Sequence, residues 1–409
     1  MKSLSFVVLL ALVAGLATGA WIRADGAQFT QAAEIIEAFG GLWLNALRMT
    51  VVPLVFSLLV VGIASVSDAA ATGRLAARAV LLFSVLLTFA GIYGVLATEG
   101  ALLLWPVDRE AAAAFITGAG GAGAEVPAPP TFVTWLQGLA PANPVKAAAE
   151  SAILPLVVFA VFFGFAATRL EAALRGLLVS LFRAVSEAMV VIVRWVLLAG
   201  PFGVFALSLG VGLRAGLGAA GTLFQYVVIV SVVTLSVTII AWLFALMFGR
   251  QSIGKFSAAA APVWAIAFST QSSLASLPAM IEAARTLRIP ERVADLILPL
   301  AVAVFRFTSP VANLAVCFFV AHLYGIEPNA LQIAGAIVVA FGVSVGSVGL
   351  PGQISFIASV APICMALGVP IELLGILLAV EVIPDIFRTL GNVTGDLAAT
   401  SILARGQKD

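Results

Sequence analysis

Residues 381–396 read EVIPDIFRTLGNVTGD and place five polar side chains in an otherwise apolar region near the C-terminus. At 100° per residue these side chains spread over only about 80° of a helix, so they form one stripe. A charge at bilayer depth costs roughly 2.5–3.5 kcal/mol, so a charged stripe there needs a compensating role. Either it is a structural ion-pair cluster or it binds a charged solute, and the excess of carboxylates over arginine favours the solute. The stripe consists of Glu381, Asp385, Arg388, Asn392 and Asp396.

The composition is that of an integral membrane protein. Of the 409 residues, 62% are hydrophobic and 10% are charged, whereas soluble domains carry about 25% charge. We therefore expect a multi-pass protein of the cell inner (plasma) membrane, with the lipid bilayer around it. The net charge of +1 argues against a nucleic-acid partner. No nucleophile elbow, phosphate-binding loop or Cys/His cluster occurs in the sequence, so neither an enzyme nor a bound cofactor is expected.

Continuous apolar segments make up the first 250 residues. They are rich in leucine, valine, alanine and phenylalanine and long enough to cross a bilayer. Between 107 and 148 the sequence turns to glycine, alanine and proline, which predicts a flexible loop outside the membrane. The predicted spanning segments are 4–22, 41–66, 78–106, 150–167, 182–212 and 222–249.

The remaining sequence contains two interrupted apolar segments. The first, 255–289, is broken by Ser269–Ser273, and the second, 329–370, is broken by small residues at 344–352. Two such units are typical of inverted repeats around a midplane site. The alternative, a pair of kinked spanning helices, leaves backbone groups facing lipid, so re-entrant hairpins are favoured. Each break precedes a segment predicted as one long helix: 290–324 and 371–405. The pattern predicts an all-α membrane protein with eight transmembrane helices plus two re-entrant helical hairpins.

Three stretches together resemble a known transporter family. Arg388–Asp396 is similar to the last-helix signature of the dicarboxylate/amino acid:cation symporters, the glutamate transporter family. Gln271–Pro278 resembles the tip of the first hairpin of that family, and Gly346–Gly352 resembles the tip of the second. The resemblance covers essentially the whole chain.

The resemblance implies a homotrimer that works as an elevator. The chain, 1–409, is then a single membrane unit with a scaffold and a moving transport part that carries solute between the hairpin tips. The implied scaffold is about 1–70 and 140–215, and the implied transport part is about 75–106 and 220–405, including hairpin one (255–289) and hairpin two (329–370).

The resemblance also assigns substrate contacts. Arg388 is similar to the arginine that grips a substrate side-chain carboxylate, which suits the planar guanidinium. Asp385 matches the carboxylate that takes the substrate ammonium, although an ordinary i,i+3 ion pair is the structural alternative. We therefore expect the Arg388 guanidinium to be available to an incoming carboxylate, with a cavity between the hairpin tips. Further contacts are implied for Thr389, Asn392, Ser272, Ser273 and Gly349.

The chain departs from the family where sodium ligands are expected. Phe305–Ser309 replaces the Asn-Met-Asp-Gly-Thr motif, and on the third segment the ligand positions appear as Val85, Thr88 and Phe89. Phenylalanine offers no oxygen to a hard cation, so at least one sodium site is expected to be absent. Arg306 is expected to supply positive charge in its place, close to the substrate.

The coupling ion is therefore a sodium ion or a proton. Asp396 and Asn392 remain as one candidate cation site. The position at which proton-coupled eukaryotic members carry a glutamate is Asn313, so Glu381, Asp385 or Asp396 has to carry any proton. Glu381 is the first choice, although an exposed or structural glutamate is the alternative.

The sequence thus favours a secondary active transporter for aspartate or glutamate. Sodium dependence is expected to be reduced or absent, with proton coupling or exchange instead. The alternatives are a sodium-coupled dicarboxylate or neutral amino acid symporter, and an uncoupled anion channel or receptor on the same fold.

Overall fold

The protein is described here from a computed structural model, which covers residues 2–71, 73–119, 130–216, 218–346 and 352–407. Every regular element among these residues is helical, as predicted. The first ten α-helices are α1 (Lys2–Asp25), α2 (Thr30–Arg48), α3 (Val51–Ala71), α4 (Arg74–Leu104), α5 (Arg109–Gly118), α6 (Phe132–Gly138), α7 (Pro144–Ala149), α8 (Ile153–Ala167), α9 (Ala172–Leu198) and α10 (Gly200–Ala215), with a 3₁₀ turn at Ala27–Phe29.

The second half of the chain continues with nine more helices within the described ranges. They are α11 (Gly218–Met247), α12 (Ile253–Thr270), α13 (Ser273–Thr286), α14 (Glu291–Val304), α15 (Ser309–Tyr324), α16 (Ala330–Gly346), α17 (Gly352–Leu367), α18 (Leu374–Leu377) and α19 (Val382–Ala404).

Six helical stretches in the described part of the chain are long and apolar enough to cross a membrane. Shorter apolar helices, among them α8 and α10, add further membrane-compatible segments. The composition and the helix lengths therefore agree on a membrane protein. The six stretches are Phe6–Asp25, Thr30–Ala71, Arg74–Leu104, Ala172–Leu198, Gly218–Met247 and Glu291–Tyr324.

The predicted flexible loop at 107–148 is wrong for most of its described residues. It contains three short helices, α5, α6 and α7. Asp108 caps the first of them by accepting a hydrogen bond from the Ala111 N–H at 2.8 Å. Phe115 of this helix is fully buried, and the helix packs against α10. Residues 120–129, the centre of the predicted loop, lie outside the described residues.

Two segments predicted as continuous helices are each divided. The segment 182–212 falls on α9 and α10, and Pro201 lies in the first turn of α10, where its missing N–H costs no helical hydrogen bond. The segment 290–324 is interrupted between α14 and α15, where Phe305 leaves helical geometry (φ −112°, ψ 83°). Pro310 lies in the first turn of α15, where its missing N–H costs no helical hydrogen bond, so it suits the start of a new helix.

Both predicted hairpin breaks fall between paired helices. In hairpin one α12 packs against α13, and the chain turns at Gln271, which has a left-handed backbone (φ 53°). In hairpin two α16 packs against α17, and the connecting residues 347–351 lie outside the described ranges. Hairpin one also packs against α14 and α19, whereas hairpin two packs against α3, α8, α15 and α4.

The non-helical segment 305–308 lies directly on α19 because two glycines make room for it. A Cβ added to Gly391 would lie 2.2 Å from Thr308 Cγ2, and one added to Gly395 would lie 2.9 Å from Phe307 Cβ. Side chains at these two positions would push the segment off the helix. Gly391 and Gly395 of α19 thus allow the interrupted helix to lie close to the carboxylates and the arginine of the polar stripe.

Candidate functional site

The polar stripe of α19 is buried, as its position in an apolar region predicts. Glu381 and Asp396 have 0% exposure, and Asp385, Arg388 and Asn392 have 2%. Helix α19 begins at Val382 and is surrounded by α11, α12, α13 and α14. Charges in such surroundings need partners of opposite charge or hydrogen bonds.

Arg388 is paired within the chain, contrary to the expectation that it is available. Its Nη2 atom donates to Glu381 Oε1 at 2.6 Å, and its Nη1 atom donates to Asp385 Oδ1 at 3.4 Å. The shorter contact is to the glutamate one turn further away, so Glu381 is the main partner. In this structure a carboxylate of the protein itself therefore binds the guanidinium that is predicted to bind a substrate carboxylate.

Tyr226 completes this cluster and was missed in the sequence. It is fully buried on α11, and its hydroxyl donates to Glu381 Oε2 at 2.8 Å. The two oxygens of Glu381 therefore have separate donors, Arg388 and Tyr226. The available signal was a tyrosine in an apolar segment, one of three in the chain, because a buried phenol needs a polar partner.

Thr308, in the break of the interrupted helix, holds the middle of the stripe. Its N–H donates to Asn392 Oδ1 at 3.0 Å, and its hydroxyl lies 2.6 Å from the Arg388 carbonyl and 2.8 Å from Asn392 Oδ1. The Thr389 hydroxyl donates to the Asp385 carbonyl within α19, at 2.9 Å. The Asn392 side chain therefore ties α19 to the break in this structure.

A small cavity joins several predicted site residues from three elements. Its volume is about 10 Å³, which is room for about one water molecule and too little for an amino acid. This cavity lies at the tip of hairpin one, whereas the tip of hairpin two, which the expected cavity also involves, lies outside the described residues. It is lined by Gln271, Ser272 and Ser273 of the hairpin-one tip, by Val302, Phe305 and Arg306 of the interrupted helix, and by Thr389 and Asp396 of α19. Glu381, Asp385, Arg388 and Asn392 do not line it.

The hairpin-one tip is anchored by its own polar residues. Ser272 caps α13 by accepting a hydrogen bond from the Ala275 N–H at 3.2 Å, and the Gln271 amide donates to the Val382 carbonyl at 3.2 Å. Ser273 is the first residue of α13 and lines the cavity, so its backbone N–H is one of the donors at the helix start that have no partner within the helix. The predicted contact Gly349 lies outside the described residues.

Asp396 is the strongest candidate for holding a cation or a proton. Both of its carboxylate oxygens are buried and have no hydrogen-bond partner among the described residues. The other oxygen-bearing side chains that line the cavity with it are those of Gln271, Ser272, Ser273 and Thr389. Asn392 is turned to Thr308, and Arg306 shares the cavity. No group of three or more His, Cys, Asp or Glu residues that could hold a metal ion occurs in the part of the chain described.

The third-segment positions predicted to have lost cation ligands do not reach the cavity. Val85, Thr88 and Phe89 are exposed on α4, and none of them lines the cavity that Asp396 lines. At the break of the interrupted helix, the ring of Phe83 on α4 stacks on Phe305 with centroids 4.5 Å apart. At this contact the stacked phenylalanine pair offers no side-chain oxygen to a cation.

Comparison with known proteins assigns the chain to a family. The family model "Sodium:dicarboxylate symporter family" matches residues 4–406. The chain belongs to the sodium:dicarboxylate symporter family. As a member it is a multi-pass membrane protein and a secondary symporter rather than an enzyme, as the sequence predicts.

Several curated proteins are similar to this symporter over most of their length. A proton/glutamate-aspartate symporter of Escherichia coli (strain K12) is 28% identical over 407 residues, covering 98% of this chain and 92% of the relative. A proton/sodium-glutamate symport protein of Bacillus subtilis (strain 168) is 28% identical, with 90% and 86% covered. The human neutral amino acid transporter B(0) is 29% identical, with 98% and 79% covered. The relatives thus include symporters for acidic and transporters for neutral amino acids.

Proposed function

We propose that this symporter carries acidic amino acids, aspartate or glutamate, and takes up a proton with each substrate. The observation that carries the proposal is the buried contact of 2.6 Å between Arg388 and Glu381. A carboxylate at that place is the chemical equivalent of a substrate side chain. The E. coli relative, named as a proton/glutamate-aspartate symporter, has the same combination of substrate and ion.

Substrate binding is then an exchange of carboxylates at Arg388. The substrate side-chain carboxylate replaces Glu381 on the guanidinium, and its ammonium pairs with Asp385. Glu381, released from the arginine while fully buried, is stable only when it takes up a proton, because an unpaired buried charge is costly. Tyr226 keeps its contact with the carboxyl group, which holds Glu381 in place during the exchange.

Reduced sodium dependence is expected from the residues near Asp396. Arg306 lines the cavity with Asp396 and brings a fixed positive charge to it, while the stacked rings of Phe83 and Phe305 offer no side-chain oxygen. Asp396, with Asn392, remains the candidate for a single residual cation site. We expect Arg306→Met to weaken aspartate binding in sodium-free buffer or to make binding sodium-sensitive. Unchanged binding and unchanged ion dependence in that variant would contradict the surrogate-charge role.

A second candidate substrate is a neutral amino acid. It is favoured by the same ion pair, since Glu381 already neutralises Arg388 and a substrate without a side-chain carboxylate need not displace it. The human relative named as a neutral amino acid transporter is compatible with this reading. The two candidates differ in one consequence, because only the acidic substrate has to release Glu381 and take up a proton.

The division into scaffold and transport part is supported by how the hairpins pack. We propose the eight-helix, two-hairpin elevator fold with inverted repeats, assembled as a homotrimer. Hairpin two lies against the scaffold helices α3 and α8 as well as against α4 and α15 of the transport part, whereas hairpin one packs mainly against helices of the transport part. In an elevator this arrangement corresponds to a transport part lying towards the side of hairpin one. Residues Ser269, Thr270 and Leu274 at that hairpin's tip are exposed.

The proposed function is tested in proteoliposomes loaded with unlabelled aspartate. We expect exchange of external labelled aspartate without sodium and accumulation under an inwardly directed proton gradient. Strict dependence on sodium would contradict the coupling, and uptake of alanine or serine in preference to aspartate would favour the neutral candidate. Arg388→Ala should abolish aspartate binding while the protein remains folded, and binding that survives this change would contradict the substrate assignment.

A further inference from the structure

A polar cavity of about 400 Å³ lies where three parts of the chain leave or enter their helices. It is bordered by the residues after α11, by the connection between α13 and α14, and by the end of α19. None of the charged residues around Arg388 lines it, and it shares no residue with the small cavity beside Asp396. The cavity is therefore separate from the proposed substrate site.

The lining of this cavity carries positive charge. Arg288, from the connection between α13 and α14, and Arg405, at the end of α19, both line it and are both exposed. Within the described ranges no hydrogen bond or ion pair involves either guanidinium group. The acid that follows Arg288 in the sequence, Glu291, contacts Arg285 at 3.5 Å and does not line the cavity. Two arginines with no acid among the described lining residues favour an anion there.

Ser401 gives a second, independent indication of a ligand. Its residue is 2% exposed and lines the cavity, and its hydroxyl oxygen is buried without a hydrogen-bond partner in the described chain. The hydroxyl of the neighbouring Thr400, by contrast, donates to the Asp396 carbonyl at 2.7 Å. A buried polar group without a partner costs about 1–3 kcal/mol, and a ligand that bonds to it offsets this cost.

The wall of the cavity beside Ser401 is fixed by the backbone. A Cβ added to Gly249 would lie 2.8 Å from the Ser401 Cβ, so the glycine allows the chain after α11 to pass directly over the serine. The Gln251 N–H then donates to the Ala245 carbonyl at 3.2 Å, which holds this segment on the end of α11. Gln251 and Gln407 line the cavity as well, and their amide groups are further hydrogen-bond donors.

Basic residues also indicate which side of the membrane the cavity faces. Lysine and arginine close to the ends of spanning segments are retained on the cytoplasmic side. The cytoplasmic leaflet carries anionic phospholipids, and basic pockets between helices on that side bind their headgroups. Besides the two arginines of the cavity, the neighbouring helix ends carry Arg250, Lys255, Arg285 and Arg292.

We propose that this cavity binds a phosphate group on the cytoplasmic side of the membrane. The guanidinium groups of Arg288 and Arg405 pair with its oxygens, which the planar fork of arginine matches, and the Ser401 hydroxyl donates to another oxygen. One water molecule takes about 30 Å³ of liquid, so the cavity has room for a group much larger than inorganic phosphate. The phosphate is therefore part of an organic compound, either an anionic phospholipid or a soluble phosphate ester.

The test uses the full chain in mild detergent and one probe for each source of phosphate. Native mass spectrometry compares the retention of phosphatidylglycerol with that of phosphatidylcholine. Isothermal titration calorimetry measures glycerol 3-phosphate at constant ionic strength, because salt screens exposed charges. We expect the wild type to bind one of the two probes, and Arg288→Gln combined with Arg405→Gln to weaken that binding by at least about tenfold.

Ser401→Ala separates a binding role from a structural one. It should weaken binding of the same probe by about threefold to tenfold. The melting temperature of the ligand-free protein should not fall, because the change removes a hydroxyl that has no partner. Arg78→Gln is the matched control, since this exposed arginine near the start of α4 does not line the cavity, and it should leave binding within about twofold of wild type.

Two results support the proposal and identify the source of the phosphate. Preferred retention of phosphatidylglycerol that the double variant loses assigns the cavity to a lipid headgroup, and saturable binding of glycerol 3-phosphate that it loses assigns the cavity to a soluble ester. The proposal is overturned if neither probe binds the wild type, or if the folded double variant binds as the wild type does. Unchanged binding in Ser401→Ala, or a lower melting temperature of that variant, would contradict the role of the hydroxyl.

Discussion

Replacing Glu381 by glutamine removes the carboxylate that competes for Arg388. In the wild type each acidic substrate has to release Glu381, and the released carboxyl group takes up a proton. The other charged or titratable groups that face Glu381 are Arg388 and Asp385 of α19 and Tyr226 of α11. One guanidinium exchanges one carboxylate, so one proton is expected per substrate.

The expected magnitude follows from that stoichiometry. At pH values where Glu381 is ionised in the substrate-free protein, the wild-type Kd for aspartate should rise about tenfold per pH unit, which is about 1.4 kcal/mol. Between about pH 7.5 and 9.5 the rise is therefore about a hundredfold. In Glu381→Gln the Kd should stay within about twofold over the same range, because no anion has to be displaced. Isothermal titration calorimetry at each pH measures both.

The control is Glu282→Gln on the surface of α13, where the side chain is 71% exposed, and it should keep the wild-type slope. A slope near tenfold per unit that persists in Glu381→Gln would refute the exchange. A flat wild-type profile would refute it as well and would favour the neutral substrate.

Three further predictions concern the surroundings of the site. Tyr226→Phe removes a hydrogen-bond donor that stabilises the ionised carboxylate of Glu381. Glu381 should then take up its proton more readily, so calorimetry should detect aspartate binding up to a higher pH. An unchanged pH profile of the Kd would contradict the role of this contact. Gly391→Ala should lower the free energy of unfolding by about 1–3 kcal/mol because its Cβ would lie 2.2 Å from a threonine methyl group, whereas Gly254→Ala, with nothing within 4 Å, should be neutral or stabilising by thermal unfolding. Arg48 and Glu372 pair at 3.0 Å between α2 and the residues just before α18. If the proposed scaffold and transport part move as an elevator, breaking this pair should shift their equilibrium by about 1 kcal/mol in single-molecule fluorescence, and an unchanged equilibrium would contradict a bridging role.

Much of the fold could be predicted because membrane burial leaves a strong signal. The stripe of α19 was predictable from its spacing alone, and the break at Ser269–Ser273 from its small hydroxyl residues. Pro201 is a signal for a new helix start, but the apolar composition on both sides of it favoured one continuous helix over 182–212. The helices within 107–148 were missed because alanine-rich segments look like linker sequence until a cap such as Asp108 and a buried Phe115 fix them.

Which groups pair within the site could not be predicted from the sequence, because the pairing depends on how the helices pack. Spacing brings Asp385 and Arg388 together on one helix, but it cannot show that Glu381 takes the shorter contact. The donor from Tyr226 comes from 155 residues away, on another helix. The face that α4 turns to the break at Phe305 depends on helix packing, so spacing alone could not show that Phe83 stacks there while Val85 is exposed.

The most direct measurement is a structure of the wild-type symporter with aspartate bound at mildly acidic pH. Exchange predicts that the Arg388 guanidinium contacts the side-chain carboxylate of aspartate, while Glu381 has left the arginine and still contacts Tyr226. An intact contact between Arg388 and Glu381 with aspartate bound elsewhere would contradict it.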